Sequence, residues 1–135
     1  MIAQALYTAL ASDVTLTGLL ATYEAAPAIF TTDPAPADAV LPYIVAASIP
    51  VDMAFDTKTT LGRTIWRDIR IYAEALGSVV LIDQIAERVR ALLHRQTLTV
   101  AGYDWVLSDC AGPISADVDL VYGRIITVKI TLDKL

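Results

Sequence analysis

The sequence contains one cysteine and one histidine among its 135 residues, Cys110 and His94. A lone cysteine has no internal disulfide partner, and the two residues lack neighbours at the spacing of a metal-binding motif. His94 falls at the end of a predicted helix, and the sequence identifies no nucleophile or orienting acid with which it would act as a general base. We therefore interpret His94 as a surface residue and Cys110 as a small apolar one, and we expect no enzymatic activity, no metal and no cofactor.

Glycine clusters, calcium-loop ligands and long apolar runs are also missing. The six glycines are scattered, so there is neither a dinucleotide fingerprint nor a phosphate-binding loop with its lysine. Asp117 and Asp119 lack the further oxygen ligands and the glycine of a calcium loop, which favours a solvated turn. The longest uncharged apolar stretch, residues 39–51, is interrupted by prolines and is shorter than the roughly 18 residues of a membrane span. We expect a soluble protein with no membrane partner.

Lysine and arginine are absent from the first 57 residues, which contain six acidic residues. Residues 58–95 carry seven basic and four acidic residues, and residues 96–135 carry three and five. The net charge of −5 argues against a protein that grips nucleic acid, because phosphate binding depends on clustered Lys and Arg. The uneven distribution has two interpretations: a solvated surface, or head-to-tail attraction between copies whose acidic and basic flanks meet.

Apolar residues are plentiful, since 56% of the residues are hydrophobic, 19% are charged and the mean hydropathy is +0.55. This composition and length suit one domain, residues 1–135, with a sizeable core. The spacing of Ile2, Leu6 and Leu10 predicts an opening helix, and Ser12-Asp13 a cap before a second helical turn. Residues 25–42 hold four of the six prolines and are predicted to be a connection. Within it, Ile29-Phe30 forms a short edge strand or anchors the loop to the core.

The middle of the chain alternates in the manner of β-strands. Residues 43–49 predict a strand that starts and stops at its flanking prolines, and residues 52–63 predict a long, mobile hairpin. Residues 64–74 predict a strand with an apolar face that Arg67 interrupts.

The second half begins with the clearest helix, residues 78–94, whose apolar stripe includes Val79 and whose predicted cap is Ser78. Residues 98–100 and 103–107 predict paired strands, residues 111–120 a loop, and residues 123–133 a closing strand.

The predicted strands 64–74 and 123–133 each have one apolar face, which we call the dry face, and one face of polar and apolar residues, which we call the mixed face. The mixed face contains Trp66, Asp68, Arg70 and Tyr72 from the first strand and Lys129 from the last. A helix layer accounts for the dry face. The mixed face either meets solvent or contacts another chain, and its two large aromatic residues favour a contact.

Taken in order, these segments resemble the tail-completion, or tail-terminator, family of long-tailed bacteriophages and prophages. The resemblance spans nearly the whole chain and concerns pattern, not a catalytic motif. It is strongest in Leu41-Pro42-Tyr43-Ile44-Val45 at the start of a strand, and in the unit in which Asp68-Ile69-Arg70-Ile71-Tyr72-Ala73 precedes the helix that reaches Arg88-Val89-Arg90-Ala91-Leu92-Leu93.

The resemblance implies an α+β fold with one mixed, mostly antiparallel sheet and helices on one face. It further implies a structural virion protein at the head-tail junction, assembled in the host cytoplasm, that forms a ring, typically of six copies. Such rings cap the tail tube at its head-proximal end, stop its polymerisation and dock head-completion or connector proteins, while DNA passes through the hole without specific binding.

The family supplies no catalytic residues and no interface motif, so we predict the interface residues from the polar-face pattern. They are Asp56, Lys58, Arg63, Trp66, Asp68, Arg70, Tyr72 and Lys129. The alternative function is a small α/β module that binds a ligand or peptide on its sheet face, or an assembly factor.

Overall fold

The computed structural model describes residues 2–32, 35–54, 56, 61–75, 77–117 and 120–135, with only the backbone at 48–51. Its helices and strands, in chain order, are α1 (Ile2–Ala11), α2 (Val14–Leu19), β1 (Thr22–Tyr23), β2 (Ala26–Pro27), β3 (Ile29–Phe30), β4 (Tyr43–Ala54), β5 (Gly62–Glu74), α3 (Val80–Leu93), β6 (Tyr103–Ser115) and β7 (Val121–Lys134).

Five strands form one mixed sheet in the order β3-β4-β5-β7-β6. The short strand β3 pairs in parallel with β4, and the other neighbours are antiparallel. The helix α3 connects β5 to β6, and β7 returns between them. The helices pack on one face of the sheet, which confirms the predicted fold class.

The core lies between this helix layer and the dry face of the sheet. The apolar residues of β7 predicted to be dry are fully buried, and Ile65, Ile69 and Ile71 of β5 face the same side. From the helices, Ile2, Leu6 and Leu10 of α1 and five residues of α3 complete the core: Ile82, Ile85, Ala86, Val89 and Leu93. The two-residue alternation of the strands and the 3.6-residue period of the helices therefore create the two apolar surfaces that meet in the core.

The first two helices and the edge strand agree with prediction. The Asp13 carboxylate accepts a hydrogen bond from the Leu16 amide at 2.9 Å and so caps α2. Both residues of β3 are buried, so Ile29 and Phe30 form an edge strand and also anchor the connection to the core. The small β1–β2 hairpin was not predicted.

The helix α3 begins two residues later than predicted. Val79 occupies the N-cap position without a side-chain cap, and it is 39% exposed instead of lying in the apolar stripe. The Ser78 hydroxyl still accepts a hydrogen bond from the Val80 amide, at 3.3 Å. His94 is the C-cap residue, so the helix ends where the sequence indicated.

The prediction that the first long strand stops at Pro50 was wrong, because β4 continues to Ala54. Its register against β5 shifts between Val45 and Ser48 and again between Ser48 and Val51. Such irregularities leave ladder positions unpaired, and a proline, which has no amide hydrogen, is tolerated there. Residues 52–54 and 62–63 of the predicted hairpin consequently belong to strands. Residues 55 and 57–60 lie outside the described part of the chain.

The loop predicted over residues 111–120 was also wrong in its first half, because β6 extends to Ser115. The pairing of β6 with β7 is irregular between Ala111 and Ile114, which accommodates Gly112-Pro113 inside the strand. Nor do residues 98–100 form a strand, since Val100 makes only an isolated bridge with Tyr103. The partner of β6 is instead the following strand, β7.

The outer edge of β6 is covered by the end of α3. The Arg90 Nη1 group donates to the carbonyl oxygens of Cys110 at 2.8 Å and Gly112 at 3.2 Å. The Cys110 amide donates to Nδ1 of His94 at 3.0 Å. Side chains of the helix end thus satisfy backbone groups that an edge strand would otherwise expose to another chain.

Candidate assembly interface

The sheet face opposite the helices brings together five of the eight predicted interface residues. On β5, alternation places Trp66, Asp68, Arg70 and Tyr72 on this open face, and Lys129 of β7 lies directly opposite Trp66. None of the five is fully buried. We call this surface, formed by these residues and their neighbours on the same side of the sheet, the open face.

Two side-chain contacts organise the centre of the open face. The Lys129 ammonium lies over the Trp66 ring, 5.5 Å from its centroid, which is the geometry of a cation–π interaction. Two residues further along each strand, the Thr127 hydroxyl donates a hydrogen bond to the Asp68 carboxylate at 2.8 Å. These contacts hold both rows of side chains in place without covering them.

Arg70 of the open face has an unsatisfied hydrogen-bond donor. Its Nε atom is buried and has no hydrogen-bond partner among the described residues. The cross-strand neighbours of Arg70 are Val45 and Ile125, which supply no side-chain acceptor. A buried donor without an acceptor is costly, so an acceptor brought by another chain would stabilise this position.

A row of aromatic side chains joins the open face to the β1–β2 hairpin. The ring centroids are 5.2 Å apart for Tyr23 and Phe30, 5.6 Å for Phe30 and Tyr43, and 5.5 Å for Tyr43 and Tyr72. Burial, and to a lesser degree the neighbouring Tyr72, raise the pKa of Tyr43. The sequence predicted that Tyr43 begins a strand but assigned it no face, and it gave no indication that Tyr23 and Phe30 extend the row.

Exposed apolar residues on β4 and β6 belong to the open face and were missed. Met53 is 55% exposed and pairs with Thr64, while Ile114 is 61% exposed and pairs with Ile125. Leu107, which pairs with Thr131, is also exposed. Ile114 was missed because its segment was predicted to be a loop, and loop residues have no assigned face.

Arg63 does not lie on the open face. It shares its side of β5 with Ile65, and it pairs with Asp52 and lies over the Tyr103 ring, 5.8 Å from the centroid. Asp56 is exposed and accepts a hydrogen bond from the Gly62 amide at 3.3 Å, beside the hairpin. Lys58 lies outside the described residues.

His94 and Cys110, the two residues weighed as catalytic candidates, occupy structural positions in the fold. His94 is half-buried, in contrast to the surface position predicted for it, and its Nδ1 atom is occupied by the Cys110 amide. Cys110 is buried, and burial raises the pKa of its thiol to about 11, which disfavours the reactive thiolate. In the described part of the chain, no three potential ligands of the His, Cys, Asp and Glu types group together as a metal site.

Asp117, predicted to be in a solvated turn, is half exposed and accepts hydrogen bonds from the Gly123 amide at 2.9 Å and from Arg124 at 3.0 Å. Asp119 is outside the described residues. None of the helices within those residues has the length and apolar character to cross a membrane.

Comparison with known proteins agrees with this architecture. A chain from the virion of a native gene transfer agent particle superposes with a TM-score of 0.82 at 17% sequence identity, over 98% of this chain and 94% of that chain. This likeness concerns the fold. No curated protein sequence matches the chain. The sequence profile of the tail completion protein gp17 family matches residues 4–112. The chain therefore belongs to the tail completion protein gp17 family and is a structural protein of phage-type tails.

Proposed function

We propose that the protein is a tail terminator, a single domain that assembles with copies of itself into a ring at the head-proximal end of the tail tube. The ring stops polymerisation of the tube protein and docks a head-completion or connector protein. The protein acts by shape and catalyses no reaction. Membership of the tail completion family supports this function, and the open face supplies the contact surface that self-assembly needs.

The observation that carries the proposal is that the open face has an unpaired hydrogen-bond donor and exposed apolar side chains. It combines the buried Nε of Arg70, which has no hydrogen-bond partner in the described part of the chain, with exposed Met53 and Ile114. Aromatic, Met and Arg side chains are enriched in protein interfaces, and truly isolated polar groups are rare in finished structures. Contact with a second copy would bury the apolar residues and bring acceptors to the arginine.

The size and charge of the chain are compatible with a ring around DNA. A domain of 135 residues has a radius of gyration of roughly 14 Å, hence a diameter of about 36 Å. Six touching spheres enclose a hole roughly as wide as one of them, which exceeds the approximately 20 Å width of duplex DNA. Six copies of a chain with charge −5 carry −30, which favours passage of DNA over its retention.

Native mass spectrometry of the purified protein, alone and with its tail tube protein, tests the assembly. We expect a closed ring in at least one of these conditions. A protein that stays monomeric in both, at high concentration, would contradict the proposal. A thermal-shift screen addresses the alternative function, because a small ligand or peptide that stabilises the monomer would favour a binding module.

A charge reversal with a matched control tests the surface. Lys129 and Lys134 are both exposed on β7, but they lie on opposite sides of the sheet. We expect Lys129→Glu to reduce ring formation at least tenfold, and Lys134→Glu to leave it unchanged. Equal effects of the two variants would remove the open face from the interface. Circular dichroism of each monomer shows that folding is retained.

A further inference from the structure

A second exposed apolar surface lies at the end of the sheet where β5 ends and α3 begins. It consists of Val79, Val80, Leu81 and Leu120, and we call it the end patch. Val80 is 61% exposed and Leu120 is 85% exposed. Contiguous exposed apolar surface on a folded protein commonly marks an interaction site. Val79 to Leu81 lie at the start of α3 and Leu120 lies just before β7, so their grouping is a product of the fold.

Backbone pairing brings those two connections to the same place. Glu74, the last residue of β5, pairs with Val121, the first of β7, and the Ala75 amide donates to the Leu120 carbonyl at 3.1 Å. Leu120 has φ +60°, a backbone conformation that non-glycine residues adopt only occasionally. The segment that leads into α3 therefore starts beside the end of the segment that leads into β7.

A buried arginine fixes the geometry of this end. The Arg124 side chain is only 10% exposed, and its Nε atom lies 3.3 Å from Asp83 in the first turn of α3. Its Nη1 atom lies 3.0 Å from Asp117 in the connection before β7. One guanidinium thus ties both sides of the end patch together. A surface held in this way loses little conformational freedom when it binds.

The charge around the end patch has one sign. In the described residues of 74–87 and 110–123 the charged side chains are Glu74, Asp83, Glu87 and Asp117, all of them exposed and acidic. Arg124 is buried between the carboxylates of Asp83 and Asp117, which are themselves about half exposed. The end patch is therefore an apolar surface with an acidic rim.

We infer that the end patch docks a non-identical virion protein whose contact surface is apolar at its centre and rimmed by lysine or arginine. This inference rests on the proposed function, and it assigns one end of the subunit to a partner other than its own copies. Two copies that met through this patch would bring acidic rims together, which is unfavourable. A basic partner instead gains attraction from every rim carboxylate.

Site-specific photo-crosslinking in assembled particles tests the inference. A benzophenone amino acid replaces Leu120 in one variant and Val14 of α2 in a control variant, since the two side chains are 85% and 83% exposed. We expect position 120 to form at least tenfold more crosslinks than position 14, to a non-identical protein, in a peptide with apolar residues and lysine or arginine. Crosslinks to another copy of this chain, to an acidic peptide, or no excess over position 14 would each overturn the inference.

A second measurement separates this inference from the proposed ring. The double variant Val80→Ser, Leu120→Ser removes only exposed apolar groups, and Val14→Ser is its matched control. Native mass spectrometry reports the ring, and electron microscopy of complemented particles reports joined heads and tails. We expect the double variant to keep the ring and to lower the joined fraction at least tenfold, with no change for Val14→Ser. Loss of the ring, or an unchanged joined fraction, would contradict docking at the end patch, whereas absence of a ring in the unmodified protein would contradict the proposed function.

Discussion

Asp13 and Arg88 form a two-pronged ion pair between residues 75 positions apart in the sequence. The Arg88 Nη2 and Nε atoms lie 2.6 and 2.8 Å from the two carboxylate oxygens of Asp13. The same carboxylate caps α2 through the Leu16 amide. One side chain therefore both starts α2 and fastens it to α3.

Removing the Asp13 side chain is expected to destabilise the protein. Asp13→Ala should lower the free energy of unfolding by about 1–2 kcal/mol, because it removes an N-cap and leaves Arg88 without its carboxylate. Asp13→Asn should cost less than the alanine variant, because asparagine caps a helix nearly as well and loses only the charge. Urea denaturation of the three proteins measures both values. Identical stabilities for Asn and Ala would show that the cap contributes nothing.

The Asp13–Arg88 contact also predicts a pH dependence. The hydrogen bond from Arg88 lowers the pKa of the Asp13 carboxyl from 3.8 to about 2. A carboxyl with a lower pKa in the folded state stabilises that state when it is ionised, so its contribution is complete above pH 3.8 and is lost as the pH falls through about 2. The stability difference between the natural protein and Asp13→Asn should shrink across this window. A difference that stays constant from pH 6 to pH 2 would contradict it.

The covered edge of β6 predicts a structural role for Arg90. Arg90→Ala leaves the carbonyl oxygens of Cys110 and Gly112 without their donor, and unsatisfied backbone groups cost about 1–3 kcal/mol. We expect this loss of stability together with faster amide hydrogen exchange along β6. The control is Arg95→Ala, whose side chain is 62% exposed and makes only a surface ion pair with Asp109. Equal effects of the two variants would contradict the role given to Arg90.

Gly112 is predicted to tolerate no side chain. Its φ is +100°, and a Cβ atom would lie 2.7 Å from the Ile125 carbonyl oxygen. Gly77 has φ +87° but open space around it, so it separates the backbone cost from the clash. We expect Gly77→Ala to cost about 1–2 kcal/mol and Gly112→Ala at least about 1 kcal/mol more, since overpacking adds to the backbone strain. Thermal unfolding of both variants measures this difference. Equal losses of stability would contradict the clash and would show that the strand relaxes around the new methyl group.

The Cys110 thiol is expected to resist labelling while the protein is folded. The residue is buried, and a thiol with a pKa of about 11 is almost entirely protonated at pH 8. A thiol-reactive dye should modify it rapidly in urea and at least a hundredfold more slowly in buffer. Labelling at the same rate in both would show that the end of β6 opens readily.

Strongly periodic segments were predictable because their pattern is local. The alternation in β7 predicted its buried face, and the spacing in α3 predicted its core residues. Arg67 shows a limit of the same reasoning. In the sequence it interrupts the apolar row of β5, yet in the structure it is buried with that row. Burial lowers the pKa of its guanidinium. A long side chain can be accommodated on a buried face, which residue type alone does not reveal.

The two strands that were predicted too short share one cause. Pro50 and Gly112-Pro113 are signals of interruption, and both lie within strands that the structure continues through irregular pairing. Whether a proline ends a strand depends on whether the neighbouring strand supplies partners on either side of it. Those partners come from β5 and β7, and the local sequence of β4 and β6 does not specify their register against these strands.

The sequence by itself determined the α+β composition, the dry and mixed faces of its strands, and most of the residues of the open face, because side-chain periodicity is fixed by backbone geometry. Only the tertiary structure decided which strands are neighbours. That choice added Met53 and Ile114 to the open face, placed Arg90 over the edge of β6, and brought the start of α3 near the connection before β7. These are relations between different elements, and their pairing and packing select them where the local pattern of one element cannot.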